Sequence, residues 1–531
     1  MKDKKKLKLK KFNLHPITTY TLLIIITILV SGILSMVEMQ NTYNVVNPNT
    51  LTLEPTLVAV ENLMSPKWIK EIISKSTLNF ISFTPLVMLL ISLIGITVAE
   101  GTGFIRAFTE KYLKNMPNQT LTFIILLIAT MSSLINEVGY AILIPLSAII
   151  FFIKGRNPLL GIITAFSGVA FGYGVSIFVG STELALMEYT KTAAELIDEN
   201  IHIALTSNLF FIIATTIITS IVGSIIIEKI IAPKIGKYKK EDIDSATEQY
   251  GILSLEEEAQ KQIEKEKREK TGLKYALITM IVVLIIFIYS LIPNLPYSGL
   301  LLDMNEETYL NQLFGENSYF QDGFTAMVSL LFLSVGIAYG IGSKNIKNDK
   351  ELIEVASEKF SKIGSILLLL FIASQFITVF RLSNIGVVLT GWLARLVEIL
   401  NFDGIMLVLI TLILIAIANL LLTSPATKWM IFSPIVVPLF MQSNISPEFA
   451  QIVMRVGDSM TNGYTVLLAS FAIYLGYLNI YNLNKNKPIG IKKSISMIAP
   501  YFVIINITWI LIILGWFIIG LPIGPGVFPT I

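Results

Sequence analysis

Long apolar runs separated by short polar or charged stretches set the pattern along this chain. Seven runs have the length of one membrane-crossing helix: residues 17–36, 83–99, 203–227, 275–292, 324–341, 363–380 and 497–521. A helix needs roughly 20 apolar residues to cross the hydrocarbon of a bilayer. Two further runs, 121–153 and 405–441, are too long for one crossing, and each is interrupted near its middle. The first interruption reads Ser132-Ser133-Leu134-Ile135-Asn136-Glu137, the second Thr423-Ser424-Pro425-Ala426-Thr427-Lys428. Both runs are predicted to be re-entrant helical hairpins with polar tips. The runs 158–187 and 447–480 are broken by glycine and polar residues and read as interrupted, tilted crossings.

The placement of charge orients this layout. Cytoplasmic loops collect Lys and Arg. The N-terminus carries Lys2, Lys4, Lys5, Lys6, Lys8, Lys10 and Lys11 and is expected inside, with residues 17–36 as an uncleaved first helix. Lys154, Arg156, the charged segment 234–272, Lys344, Lys347, Lys350, Lys485, Lys487, Lys492 and Lys493 then also fall inside. The segment 294–322 has Asp303, Glu306, Glu307, Glu316 and Asp322 but no Lys or Arg, and falls outside with the C-terminus. Residues 100–118 read as an amphipathic surface helix leading into the first hairpin.

A repeat supports the same picture. At an offset of 289 residues, Pro145 falls on Pro434, Pro158 on Pro447, Gly168 on Gly457 and Gly174 on Gly463. Each half reads hairpin, proline-initiated helix, then a glycine-flanked break. Entering from opposite sides, the halves form an inverted repeat, which in secondary transporters puts the site at the repeat interface. The chain divides accordingly into N-terminal helices with an outer loop (1–118), a first repeat (119–232), a cytoplasmic linker (233–272), middle helices (273–400) and a second repeat (401–531). The fold class is an all-α polytopic membrane protein with inverted-repeat transporter architecture.

Composition narrows the chemistry. Apolar residues make up 54% of the 531 positions and charged residues only 15%. There is no Cys, which excludes disulfides, thiolate metal sites and Cys nucleophiles. His15 and His202 are the only histidines, too few for a His-built metal site. No Ser–His nucleophile pair stands at helical spacing and there is no His-based metal motif, which argues against a membrane-embedded enzyme.

Candidate site residues cluster at the breaks. Backbone groups left open in hydrocarbon cost several kcal/mol, so breaks occur where they line a cavity. One break is Gly168-Val169-Ala170-Phe171-Gly172-Tyr173-Gly174, leading to Gly180-Ser181-Thr182-Glu183; the other is Gly457-Asp458-Ser459-Met460-Thr461-Asn462-Gly463. Free carbonyls there, with Asp458, Ser459, Thr461 and Asn462, offer the hard oxygens that Na⁺ prefers. The bland alternative is a glycine-rich packing seam, which leaves Asp458 unexplained. A carboxylate at the bilayer centre costs on the order of 3 kcal/mol. Arg455 and Asp458 are three apart, on one helical face, and are expected to pair. Arg455 could equally grip a substrate carboxylate while Asp458 exchanges a cation or proton. Trp429, beside Lys428 at the second hairpin tip, is either a packing residue or a stacking face. Glu137, Glu183 and Asn419 are further candidates.

Several of these stretches resemble the AbgT family of p-aminobenzoyl-glutamate transporters. They are Gly139-Tyr140 through Ile144-Pro145-Leu146, Gly155-Arg156-Asn157-Pro158-Leu159, and Val98-Ala99-Glu100-Gly101-Thr102-Gly103. Gln375-Phe376 and Ser383-Asn384-Ile385-Gly386 belong with them. The most specific is Ala426-Thr427-Lys428-Trp429, Pro434, Pro438, Ile445-Ser446-Pro447-Glu448, then Arg455 through Asn462. The resemblance covers nearly everything from residue 80 on. It implies about nine transmembrane helices plus two hairpins per subunit, a homodimer, and a bacterial inner-membrane location. It implies cation-coupled movement of p-aminobenzoyl-glutamate, or efflux of sulfonamide-type antimetabolites, with no cofactor beyond the coupling ion, Na⁺ or H⁺. The implied partners are the bilayer and a small aromatic carboxylate or sulfonamide, with no nucleic acid. By motif position Trp429, Pro447, Arg455 and Asp458 fall on the substrate path with Glu183 alongside, and Asn419 and Asp458 lie near the cation. Glu137 and Glu183 stand where the family pattern has Asp, one methylene longer. A Na⁺–dicarboxylate carrier of related hairpin architecture, which needs no aromatic stacking, stays open as the alternative.

Overall fold

The computed structural model describes residues 14–135, 138–236, 259–315, 317–484 and 486–531. The basic N-terminus before residue 14, Glu137, most of the charged linker, Glu316 and Lys485 lie outside the described residues. All seven single runs are helices: Pro16–Met36, Thr84–Gly101, Leu209–Ile235, Glu266–Tyr289, Tyr319–Ser343, Gly364–Leu382 and Ile491–Ile519 are long and apolar enough to cross a membrane. The fourth is the apolar part of a continuous helix, Ala259–Tyr289, which runs straight through the expected linker boundary at 272.

Both interrupted runs fold back. Asn118–Met131 passes through a 3-10 turn, Ser132–Ile135, into Val138–Ile153. Gly404–Asn419 gives way to Pro425–Gln442, whose N-cap Ser424 accepts a hydrogen bond from the Thr427 amide. Each hairpin packs against the helix that follows it, Pro158–Phe171 in the first half and Pro447–Thr461 in the second. Pro at the first helical turn gives up no intrahelical bond, and Asn157 and Ser446, 289 residues apart like the prolines, are the capping side chains. The short helices Ser181–Glu195 and Phe471–Ile480 continue beyond the two breaks.

The two halves run in opposite directions. Leu209–Ile235, 27 residues long, spans about 40 Å at 1.5 Å per residue. At its start the Phe211 amide bonds Ile523 O, and the same C-terminal tail bonds Ser446, just before Pro447. At its far end Glu228 bonds Arg156, just before Pro158, at 2.7 Å. The two proline-initiated helices therefore start at opposite ends of the molecule. Their glycines pack in the same way. A Cβ on Gly168 would strike Leu126 and Ala129, and one on Gly457 would strike Leu412 and Ile415, in both cases the first arm of that half's own hairpin.

Some elements differ from the sequence reading or stand outside it. The stretch after the first helix holds an antiparallel hairpin, Gln40–Asn47 with Thr52–Ala59, in register from Gln40↔Ala59 to Asn47↔Thr52. It packs on Pro425–Gln442 and on a further helix, Ile385–Leu400. The stretch expected as one surface helix over 100–118 is instead broken at Gly103, followed by Phe104–Phe108 and a π turn, Thr109–Leu113. Phe104, Ile105 and Ala107 are buried there, so this segment is embedded against its neighbours.

Candidate functional site

The two breaks meet. The Gly174 amide donates to Ser459 Oγ at 2.6 Å, and Ser459 Oγ donates to Arg455 O at 3.0 Å. A Cβ on Gly174 would lie 2.3 Å from Arg455 O, and one on Gly463 2.6 Å from the Phe171 ring. Only glycine lets these backbones approach so closely. Two polar clusters flank this crossing.

Arg455 anchors the first. It is 5% exposed and projects from Pro447–Thr461 toward the other half. Its Nε donates to Glu183 Oε1 at 2.7 Å and its Nη2 to Tyr173 O at 3.0 Å. The guanidinium also sits over the Tyr173 ring, 5.4 Å from the centroid. Glu183 stands in the first turn of Ser181–Glu195, where the helix N-terminus favours a carboxylate. Its second oxygen accepts from Gln451 Nε2 at 3.0 Å; Thr190 Oγ1 donates to Gln451 Oε1 at 2.7 Å, and Trp429 Nε1 to Thr190 Oγ1 at 2.8 Å. Trp429, Thr190, Gln451, Glu183 and Arg455 thus form one relay through three helices. Arg455 Nη1 is buried and makes no hydrogen bond among the described residues. A small pocket lined by Ser133, Ser176, Phe178, Thr182, Glu183 and Arg455 adjoins it.

Asp458 anchors the second. It is 1% exposed, and Lys428 is fully buried. Lys428 Nζ forms an ion pair with Asp458 Oδ1 and donates to Asn419 Oδ1 at 2.6 Å. The Asn419 amide donates to Asp458 O at 2.9 Å, Thr461 Oγ1 at 3.1 Å and Asn462 Oδ1 at 3.3 Å. Thr461 Oγ1 in turn donates to Ala416 O at 2.8 Å. Asp458 Oδ2 is buried with no hydrogen-bond partner among the described residues. These donors are the chemistry a monovalent cation needs, but an ammonium already sits between Asp458 Oδ1 and Asn419 Oδ1. Among the described residues, no group of three or more His, Asp or Glu side chains gathers as a metal site.

A model of the family described as "AbgT putative transporter family" matches residues 11–531. The chain belongs to the AbgT family. It is 26% identical over 518 residues to the p-aminobenzoyl-glutamate transport protein of Escherichia coli (strain K12), covering 97% of this chain and 94% of that protein. It is also similar to the crystal structure of the YdaH transporter of Alcanivorax borkumensis, at 25% identity and a TM-score of 0.48, covering 96% of this chain and 100% of that one. A second similar structure is MtrF of Neisseria gonorrhoeae, from a class of antimetabolite efflux pumps, at 28% identity and a TM-score of 0.45, covering 97% of this chain and 98% of that one. The AbgT-family chain is thus a multi-pass membrane transporter and not an enzyme.

The AbgT-family structure corrects one expected pairing. Arg455 and Asp458 share a helical face but do not neutralise each other: Arg455 pairs with Glu183 and Asp458 with Lys428. Spacing of three shows that two residues face one way, and the partners come from the elements they face. Glu183 was a lesser candidate and is central. Pro447 stays out of both clusters, since eight residues of helix, about 12 Å, separate it from Arg455. Ser459 is committed to bridging the breaks. Trp429 is fully enclosed, its N–H spent on Thr190. Gln451 and Thr190 are absent from the sequence reading, and Lys428 and Tyr173 enter it only as neighbours of other candidates. Lys428 carried a usable signal, because a lysine in an apolar run requires a counter-charge.

Proposed function

We propose that this protein carries p-aminobenzoyl-glutamate, and exports sulfonamide-type antimetabolites, through alternating access at the interface of its two repeats, driven by Na⁺ or H⁺. One observation carries the reading: the buried Arg455 guanidinium has Nε and Nη2 fixed by Glu183 and Tyr173 while Nη1 has no hydrogen-bond partner among the described residues. A preorganised fork with an unused donor is suited to a carboxylate. Tyr173, whose ring lies 5.4 Å from the guanidinium, supplies the aromatic surface that a flat aniline ring needs. Asp458, Asn419, Thr461 and Asn462 form the cation side of the mechanism, with Ser459 tying it to the first half. The E. coli relative's p-aminobenzoyl-glutamate transport and the efflux class of the gonococcal structure favour these solutes.

The positions of Lys and Arg support an inner-membrane orientation with the N-terminus inside and the C-terminus outside; the length and polar tips of the two interrupted runs support re-entrant hairpins, and family membership alone suggests a homodimer. The enclosure of Trp429 favours one second reading, a Na⁺–dicarboxylate carrier, for which no open indole face is required. The deciding experiment is flux of radiolabelled p-aminobenzoyl-glutamate in proteoliposomes with Na⁺ and pH gradients imposed separately. Gradient-driven flux supports the reading. Flux of succinate-like diacids without flux of the ring compound replaces it.

A further inference from the structure

Lys428 stands where a coupling cation would have to bind. Its ammonium bridges Asp458 Oδ1 and Asn419 Oδ1, the two side-chain oxygens that converge at this point. Lys428, Asn419 and Asp458 are all buried, and Asp458 Oδ2 has no hydrogen-bond partner among the described residues. One carboxylate balances one positive charge. A second cation beside the ammonium would leave an unbalanced charge in a poorly screened interior. Charge balance therefore permits exchange at this site and forbids addition.

We propose that Lys428 is a tethered competitor for the cation site, so that an alkali cation binds Asp458 and Asn419 only as the Lys428 ammonium leaves them. The proposal rests on the reading of Asp458 and Asn419 as the cation side of the mechanism. The exchange also has a route to the solute. Lys428 and Trp429 are adjacent in the first turns of Pro425–Gln442, and Trp429 Nε1 holds Thr190 at the head of the relay ending at Arg455. Release of Lys428 frees the hairpin arm to shift, and Trp429 carries that shift to the Glu183–Arg455 pair. Lys428 thus joins cation binding to solute binding.

Two measurements test this, with Na⁺ as the probe and choline at equal ionic strength as the control. In the unaltered protein, reductive methylation read by peptide mass spectrometry reports whether the Lys428 amine is reachable. Its modification is expected to rise severalfold as Na⁺ saturates the thermal-unfolding shift. In Lys428→Met the apparent Na⁺ dissociation constant should fall about tenfold if the ammonium occupies the site nine-tenths of the time. Protection of Lys428 at saturating Na⁺, no Na⁺-dependent shift at all, or unchanged Na⁺ affinity in a folded Lys428→Met protein would each overturn the proposal. If that variant does not fold, the labelling of the unaltered chain decides alone. Binding of p-aminobenzoyl-glutamate is measured in parallel. Na⁺-dependent exposure of Lys428 without solute binding overturns the solute reading alone. Solute transport with Lys428 always protected overturns the competition alone.

Discussion

Replacing Arg455 by lysine separates a solute-gripping role from a structural one. Arg455 uses Nε on Glu183 and Nη2 on Tyr173 O, with Nη1 left over. A lysine keeps the charge and can still reach Glu183, but a single ammonium cannot hold Glu183, Tyr173 O and an incoming carboxylate in the fork's plane. A hydrogen bond to a charged group is worth about 1.5–3 kcal/mol, so losing the one to the solute lowers affinity by roughly 12- to 150-fold at 1.4 kcal/mol per tenfold. Isothermal titration of the detergent-purified protein with three ligands reads this out. A ring-bearing glutamate conjugate should lose that factor in Arg455→Lys, and an aliphatic diacid a similar one. A ring sulfonamide without carboxylate should lose much less. Equal losses for all three would mean damage to the Glu183 relay and refute the contact. Unchanged affinity for the conjugate would show that Arg455 only balances Glu183.

Gly174→Ala puts a Cβ against the Arg455 carbonyl, which cannot retreat, and should lower the unfolding midpoint by the equivalent of about 1–3 kcal/mol. Gly515→Ala, with open space around it inside the helix Ile491–Ile519, is the control and should hold or slightly raise the midpoint in the same thermal scan, since Ala is favoured over Gly in a helix by about 0.5–1 kcal/mol. Trp429→Phe keeps a ring and removes the bond to Thr190, so it should cost about 0.5–1.5 kcal/mol of stability in denaturant titration. If the ring stacks on solute instead, Trp429→Ala should weaken all ring ligands while Trp429→Phe leaves them unchanged. Glu306→Cys, in a chain with no native Cys, should react with an impermeant maleimide from outside intact cells. Reaction only after permeabilisation would reject the orientation.

The spans were legible because hydrocarbon thickness imposes one length on every crossing helix, and apolar runs of that length are hard to mistake. The hairpins were legible for the complementary reason: runs too long for one crossing with polar middles. The offset that aligned four Pro and Gly positions was legible because closely packed backbones tolerate few residue types. The strand pair Gln40–Asn47 and Thr52–Ala59 was missed because its residues alternate over only eight positions per strand and carry no long apolar run. Ile385–Leu400 was missed because Arg395 and Glu398 interrupt its apolar character. Within the site, Arg455, Asp458, Glu183 and Asn419 are legible as candidates, but which of them pair is not. Glu183 lies 272 positions from Arg455, and Lys428 lies 30 from Asp458 in another element. Local spacing carries no record of such distant facing surfaces.

The contact between Gly174 and Ser459 has a consequence in time. The two residues are 285 positions apart, so the first broken helix is made long before its cover. At about 5–20 residues per second of synthesis, the wait is roughly a quarter of a minute to a minute. During that interval the open backbone of the first break has no protein partner from the second half. Water or the insertion machinery must meet those groups until residue 459 emerges.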